Sequence, residues 1–151
     1  MNASTPETTV PWTDLELESL THRLIHTRRL LDAFPPSLPG PHLLRRAPER
    51  GPDAVEAVPL AGELVVGKHG DLPLAFPDDG PLGRRHFRVV VGPDDQCHAG
   101  DLASRNGLWI NGRRVKGRLL IHGDLIHAGS QDFVFHAGRA PEWGADEVTG
   151  S

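Results

Sequence analysis

The sequence contains one cysteine, Cys97, so it cannot form an internal disulfide or a cysteine-based metal site. Its formal net charge of -4 excludes the overall basic field that drives non-specific binding to nucleic acid. The chain has no apolar run long enough to span a bilayer, and its first residues lack the basic start and apolar centre of a signal peptide. These absences predict a soluble cytoplasmic protein that binds neither nucleic acid nor membrane.

The residue patterns of an enzyme are also missing. A catalytic site needs a nucleophile beside a base, paired carboxylates in a pocket, or a metal centre. His22 and His26 have the i, i+4 spacing of one helix face, but no zinc-protease glutamate and no clear third ligand accompany them. Residues 62–70 do not form a phosphate-binding Walker sequence. We therefore predict that the chain is not an enzyme and uses neither a cofactor nor a metal ion.

Helical periodicity extends over residues 13–34, which follow a flexible N-terminal segment of residues 1–12. A lone helix of about 20 residues is marginal in water, so its apolar face must be covered. The cover is either the rest of the same chain or a partner, including self-association with a second copy. The apolar side chains on one face of this predicted amphipathic helix are Leu17, Leu20, Leu24 and Leu31.

The segment 35–53 contains six prolines, which predict an extended and semi-rigid connector. Its arginines are interpreted as part of a solvated linker and not as a nucleic-acid-binding arm. At the other end of the chain, residues 138–151 are acidic and rich in small residues, which predicts a disordered tail.

Between these segments, residues 54–137 contain short β segments separated by Gly, Pro and Asp. Many short strands at close intervals predict an all-β sandwich. The predicted strands are residues 63–66, 72–76, 86–91, 96–101, 108–110, 118–121, 124–127 and 133–136.

Four short motifs follow one another through this β region. They are Gly67-Lys68, Gly83-Arg84-Arg85-His86, Ser104-Arg105-Asn106-Gly107 and Gly123-Asp124. In this order they resemble the forkhead-associated (FHA) domain, a β-sandwich whose loops bind phosphothreonine peptides. The resemblance covers nearly all of the β region and implies an FHA-like sandwich of two antiparallel sheets, preceded here by one amphipathic helix. The marked excess of arginine over lysine is typical of coding bias in a GC-rich bacterium.

A phosphothreonine carries nearly two negative charges, so its receptor needs converging cationic and neutral donors. By resemblance, Asn106 would bind the main chain of the peptide, and Arg105 would face the phosphate. The same comparison makes His86 a buttress inside the loops and gives Gly67, Gly107, Gly123 and Asp124 structural roles. The implied phosphopeptide-binding positions are Lys68, Gly83, Arg84, Arg85, Ser104, Arg105 and Asn106.

Two of these positions depart from the family pattern. Lys68 stands where the family has arginine, so it keeps the positive charge but loses the planar fork that grips two phosphate oxygens. Gly83 replaces the phosphate-binding serine and retains only its backbone N–H as a donor. A lost hydrogen bond to a charged group weakens binding by about tenfold to a hundredfold.

The resemblance implies an adaptor that recruits a phosphorylated protein, with a Ser/Thr kinase or its substrate as the partner. The alternative is a degenerate FHA fold that acts without phosphate, as an interaction or oligomerisation scaffold through its N-terminal helix. Thr8 and Thr9 are candidate phosphorylation sites, because some small bacterial FHA regulators carry such a threonine segment ahead of the domain. A phosphorylated segment of this kind folds back onto the domain, where the tether raises its effective concentration.

Overall fold

The computed structural model describes residues 14–139 of the chain, with side-chain surroundings from residue 21 onward. In this part, one α-helix, α1 (Asp14–Asp32), precedes the strands. Among the described residues, no helix is both long enough and apolar enough to span a bilayer. The strands are β1 (His42–Arg46), β2 (Val55–Pro59), β3 (Glu63–Gly67), β4 (Leu74–Ala75), β5 (Phe87–Val91), β6 (Cys97–Asp101), β7 (Leu108–Ile110), β8 (Arg113–Val115), β9 (Gly117–Leu119), β10 (Leu125–Ala128) and β11 (Gln131–His136).

These strands form two sheets, in the orders β2-β1-β11-β10-β7-β8 and β4-β3-β5-β6-β9. The expected all-β sandwich after a single helix is therefore confirmed. The expectation of wholly antiparallel sheets is wrong at one pair, because β4 runs parallel to β3, with Val66 opposite Leu74. The loop 68–73 doubles back along β3 before β4 begins, which brings the two strands side by side in the same direction.

The main core lies between the facing sides of the two sheets. Phe87 of β5 meets Phe133 of β11, with their ring centroids 5.9 Å apart. Along β6, Cys97 and Ala99 are buried while His98 between them is exposed, as the alternation of a strand requires. Burial raises the pKa of the Cys97 thiol to about 11, so this side chain stays protonated and packs as a small apolar group.

Strand β1 lies inside the segment 35–53, where the sequence predicts a solvated connector, and that prediction is wrong for this strand. Leu43 and Leu44 are both fully buried. β1 pairs with β2 on one side and with β11 on the other. Pro41 and Pro48 lie on either side of the strand, so neither proline removes a hydrogen bond from its pairing with the neighbouring strands.

The last two residues of β1 point to opposite faces of the first sheet. Arg45 faces inward, and its side chain is only 5% exposed, although Nη1 forms ion pairs with Glu49 at 2.9 Å and Glu56 at 2.6 Å. Its guanidinium also lies 5.0 Å from the centre of the Phe76 ring. Arg46 is exposed on the outer face. Arg45 thus closes the edge of the sandwich between the two sheets.

Helix α1 packs on the outer face of the first sheet, and the helix predicted over residues 13–34 is observed at Asp14–Asp32. Leu30, which is 2% exposed, packs with the buried side chains of Leu44, Leu125 and Val134. Leu24 is 61% exposed and Ile25 is 47% exposed. The same chain therefore covers the C-terminal half of the helix face, whereas Leu24 and Ile25 remain exposed.

Each of the eight predicted strand segments overlaps one observed strand, whereas β1, β2 and β8 were not predicted. β8 consists of two exposed arginines and a half-buried valine, so it lacks an apolar pattern. β2 ends at Pro59, at the outer edge of its sheet. Both are edge strands, for which a polar or proline-containing sequence is normal.

Two histidines meet at the end of the first sheet, where the ring centroids of His122 and His136 are 4.6 Å apart. The Ala137 N–H donates to Nδ1 of His122 at 3.1 Å, and the Gly138 N–H donates to Nδ1 of His136 at 3.0 Å. Nε2 of His136 therefore carries the proton and donates to the Pro35 carbonyl at 3.2 Å. Both rings must be neutral to accept these bonds.

Burial is the main cause that lowers the pKa of both rings. For His122, the neighbouring His136 lowers the pKa further. For His136, the hydrogen bond to the Pro35 carbonyl acts in the opposite direction, and His42 adds to the lowering. As the pH falls below about 6.5, the unfolded chain takes up protons at these positions before the folded chain does. Their contribution to the free energy of unfolding is therefore lost on acidification.

We predict that His136→Gln reduces the loss of stability between about pH 7.5 and about pH 5.5, measured by urea unfolding at each pH. His127→Gln is the matched control, because the hydrogen bond to Asp132 raises the pKa of His127. His127 thus stabilises the fold at low pH, and removing it should steepen the loss on acidification. Equal pH dependence in the wild type and in His136→Gln would contradict the prediction.

Candidate functional site

Three loops lie together at one end of the sandwich: residues 68–73, 76–86 and 102–107. Backbone hydrogen bonds join the first two, from the Lys68 N–H to the Gly83 carbonyl at 2.9 Å and from the His69 N–H to the Arg84 carbonyl at 3.1 Å. Gly67 makes this approach possible, because a Cβ atom there would overlap the Arg84 carbonyl.

His86 joins the second loop to the third. Its side chain is fully buried. Nδ1 accepts a hydrogen bond from the Gly83 N–H at 2.9 Å, so the proton of the neutral ring lies on Nε2. Nε2 donates it to the Gly107 carbonyl at 2.7 Å. These two bonds support the buttress role that the sequence predicts for His86.

Ser104 uses its hydroxyl group inside the third loop. The hydroxyl donates to Oδ1 of Asp101 at 2.5 Å and accepts the Gly107 N–H at 2.9 Å. The backbone N–H of Ser104 also donates to the Asp101 carboxylate, at 3.3 Å. Ser104 was predicted as a phosphopeptide contact, but its single hydroxyl proton is already donated within the loop. Its observed role is to build the turn that presents the next residues.

Asn106 lies exposed at the tip of this loop. Its side-chain Nδ2 donates to the Pro81 carbonyl at 2.7 Å, and its backbone carbonyl accepts from Nε1 of Trp109 at 3.0 Å. A side-chain amide has two N–H donors and one carbonyl acceptor, so the bond to Pro81 leaves capacity for the main chain of a ligand. Pro81 and Trp109 hold the asparagine between the second and third loops.

Four cationic residues lie on the same three loops as this asparagine. Within residues 14–139, none of them forms an ion pair. Three arginines are exposed and the lysine is partly exposed. Because they repel one another, an anion bound between them would be stabilised. The four residues are Lys68, Arg84, Arg85 and Arg105.

Gly83 cannot offer the backbone donor that the sequence analysis expects. Its N–H is donated to His86 at 2.9 Å, and its carbonyl accepts the Lys68 N–H at 2.9 Å. Both main-chain groups are therefore committed to the loop. A Cβ atom at this position would meet its nearest neighbour, Nδ1 of His86, at 3.5 Å, which is an ordinary contact. The loop thus has room for a side chain at Gly83.

Asp79 anchors the second loop, a role that the sequence does not predict. Asp79 is 8% exposed, and its carboxylate accepts the Ser130 N–H at 3.0 Å and the side-chain amide of Gln131 at 2.9 Å. Ser130 lies in the turn between β10 and β11 and Gln131 is the first residue of β11, both more than 50 residues away. The local sequence, Asp78-Asp79-Gly80 after a proline, indicates only a turn.

The Gly123-Asp124 motif lies outside the three loops and holds a turn of the first sheet. Asp124 accepts hydrogen bonds from the Asn111 side chain and from the Ile121 N–H, both at 2.8 Å. Asn111 in turn accepts the Leu125 N–H at 2.9 Å. Among the described residues, no group of three or more His, Cys, Asp or Glu side chains is placed to hold a metal ion. Thr8 and Thr9 lie outside the described residues.

Comparison with known proteins agrees with this geometry. Residues 64–129 match the family model of the FHA domain. The ABC transporter ATP-binding/permease protein Rv1747 of Mycobacterium tuberculosis is 32% identical over 77 residues, which cover 51% of this chain and 9% of the transporter. The chain thus spans only about a tenth of that relative's length.

Solved structures of FHA domains share the fold at low sequence identity. The FHA-1 domain of Mycobacterium tuberculosis Rv1747 superposes with a TM-score of 0.52 and 21% identity, covering 66% of this chain and 99% of that domain. The FHA domain of CT664 from Chlamydia trachomatis has a TM-score of 0.54 and 20% identity, covering 64% of this chain and 96% of that domain. Mycobacterium tuberculosis EmbR, solved with a low-affinity phosphopeptide, has a TM-score of 0.56 and 17% identity, covering 91% of this chain and 35% of EmbR.

We predict that His86→Ala lowers the free energy of unfolding by about 3 kcal/mol, because it leaves the buried Gly107 carbonyl without its donor and creates a cavity. Urea unfolding measures the change. His98→Ala is the control, since His98 is an exposed histidine on β6, and it should change stability by less than about 0.5 kcal/mol. Similar losses in the two variants would show that the bonds of His86 do not hold the loops.

Proposed function

This chain contains an FHA domain over residues 64–129, and from that premise we propose that its three loops bind a phosphothreonine segment of a protein partner. FHA domains are binding modules, so the proposed role is recruitment and not catalysis. The observation that carries the proposal is the set of four cationic residues on the same three loops as the exposed Asn106, none of which forms an ion pair within residues 14–139. The partner is a phosphorylated protein, such as a Ser/Thr kinase or its substrate.

The charges and donors of the loops fit a phosphate group with an extended main chain beside it. A phosphate brings nearly two negative charges and accepts charge-assisted hydrogen bonds, which are stronger than neutral ones. Arg84 and Arg105 come from different loops, so a phosphate between them is gripped from two sides. Asn106 keeps amide capacity for the peptide main chain. The phosphate sets affinity, and the asparagine sets the direction of the peptide.

A cytoplasmic location is part of this proposal. Cys97 is free and buried in the core, which suits a reducing compartment. Kinases and their phosphorylated substrates would be available to the loops in that compartment.

We predict that the full chain binds peptides from a phosphothreonine library and not their unphosphorylated counterparts, measured by fluorescence polarisation. Arg84→Gln and Asn106→Ala should each weaken binding by about tenfold to a hundredfold, because each removes hydrogen bonds to the ligand. Arg88→Gln is the control, since Arg88 is an exposed arginine of β5 that pairs with Glu63 at 2.9 Å, outside the three loops. Binding that does not depend on phosphate would refute the proposal.

We predict that Gly83→Ser strengthens phosphopeptide binding by about tenfold to a hundredfold, because the hydroxyl adds a donor to the phosphate where none exists. The backbone at Gly83 is not left-handed, and a Cβ there makes only ordinary contacts. Gly83→Ala is the matched control, since it adds the Cβ without the hydroxyl, and its affinity should equal that of the wild type. An equal gain in both variants would assign the effect to loop rigidity.

A second candidate function is phosphate-independent protein binding through α1. The observation that favours it is the exposure of Leu24 and Ile25, at 61% and 47%. Two apolar side chains on one helix are a small surface, since single exposed apolar residues are normal on soluble proteins. A phosphopeptide experiment without phosphate dependence would move the search for a partner to this helix.

A further inference from the structure

A cavity of about 450 Å³ lies between α1 and the end of the β1–β2 pair, on the outer face of the first sheet. This volume falls in the range of small-molecule pockets, roughly 300 to 1,000 Å³. The cavity shares no residue with the three phosphopeptide loops. The proposal that follows is therefore independent of the proposed function.

The fold brings two histidines and two arginines to this cavity from two elements. His22, His26 and Arg29 recur at the helical spacing of i, i+4 and i+7, so they line one face of α1. Arg46 joins them from the last position of β1, where it pairs in register with Val55 of β2. Arg46 faces this side of the sheet because its neighbour Arg45 faces the sandwich interior.

The positive charges of the two arginines are not neutralised by ion pairs among the described residues. Arg29 and Arg46 form no ion pair within residues 14–139, and Asp53 is the one acidic residue of the lining. Nε2 of His26 is buried and has no hydrogen-bond partner there. A buried polar atom without a partner is costly, and a ligand that supplies the missing bond removes that cost.

Neighbouring charged groups change the pKa of His26. Burial is the largest cause that lowers the pKa of this imidazole, and Asp132 opposes it. Arg46, His22 and Arg29 lower the pKa further, because each adds positive charge nearby. An anion in the cavity would reverse this effect and stabilise the protonated ring.

The remainder of the lining is apolar. Ile25 and Leu30 of α1, Ala33 just after the helix and Val55 of β2 face the same space. Leu30 is almost fully buried, whereas Ile25 is about half exposed at the mouth. A ligand that filled the cavity would therefore need an apolar body next to its charge.

We propose that this cavity binds a small organic anion, with its phosphate or carboxylate group at His26, Arg29 and Arg46 and its apolar body against Ile25, Leu30 and Val55. Such a ligand bridges α1 and the β1–β2 pair, so its binding fastens the helix to the sheet. Because the ligand contacts the folded arrangement and not the unfolded chain, it also stabilises the fold by mass action.

The test is a titration of the full chain with 1-naphthyl phosphate, followed by the histidine ring resonances of His26 in proton–carbon NMR spectra. The expected result is a saturable shift of the His26 resonances, with the pKa of His26 raised in the complex. Inorganic phosphate and neutral 1-naphthol are the two partial probes. Each should bind at least about tenfold more weakly, because each lacks either the apolar body or the charge.

Substitutions test whether the probe binds in the cavity or at the loops. Arg46→Gln should weaken binding of 1-naphthyl phosphate by about tenfold to a hundredfold, because it removes a charge-assisted hydrogen bond. Arg28→Gln is the matched control, since Arg28 of the same helix is 79% exposed and pairs with Asp32. Arg84→Gln removes a cation from the loops, where the same phosphate has a second place to bind. Binding that persists in Arg84→Gln therefore belongs to the cavity.

Three results would overturn the proposal. The first is the absence of a saturable shift at His26, and the second is equal affinity in Arg46→Gln and the wild type. The third is loss of the His26 shift in Arg84→Gln, which would place the probe on the loops. Circular dichroism and urea unfolding of Arg46→Gln show that the variant is folded, so that lost binding is not lost structure.

Discussion

The hydrogen bonds of the buried His86 ring hold the loop end of this protein together. One nitrogen accepts from Gly83 and the other donates to Gly107, so a single neutral ring ties together two loop residues that are more than 20 positions apart in the chain. The backbone of His86 extends the connection, because its N–H donates to Val66 and its carbonyl accepts from Leu102. A loop end fixed in this way loses little conformational entropy when a ligand binds, and this preorganisation favours affinity.

The same internal bonding limits what the loops offer to a ligand. Both main-chain groups of Gly83 form hydrogen bonds within the loops, and the hydroxyl of Ser104 donates to Asp101. The chemistry left for a phosphate is that of exposed side chains, namely the arginines, Lys68 and the amide of Asn106. The missing side chain at Gly83 therefore matters more than the lysine at position 68, since the lysine still brings a charge whereas the glycine brings no free donor.

Local sequence patterns predicted most strands and the motif-bearing loops, but not β1. Leu43 of β1 belongs to the core between the sheets, and Leu44 belongs to the cluster beneath α1. A strand buried on both faces loses the apolar–polar alternation that identifies strands in a sequence. The anchor at Asp79 was not predicted for a different reason, because its partners, at the end of the turn after β10 and at the start of β11, lie far away in the chain. The internal use of the Gly83 N–H likewise follows from a tertiary contact and not from the local motif.

The net charge of -4 describes neither cationic region of this protein. At physiological ionic strength charges are screened over about 8 Å, so each region acts on ligands through its own residues and not through the total. Elsewhere in the described residues, ion pairs neutralise basic side chains, and Arg45 pairs in this way with Glu49 and Glu56. The cations of the loops and of the helix cavity have no such partners among the described residues. A protein that is acidic overall can therefore carry two separate groups of basic residues, one on exposed loops and one beside a helix, and these are the places where we propose that anions bind.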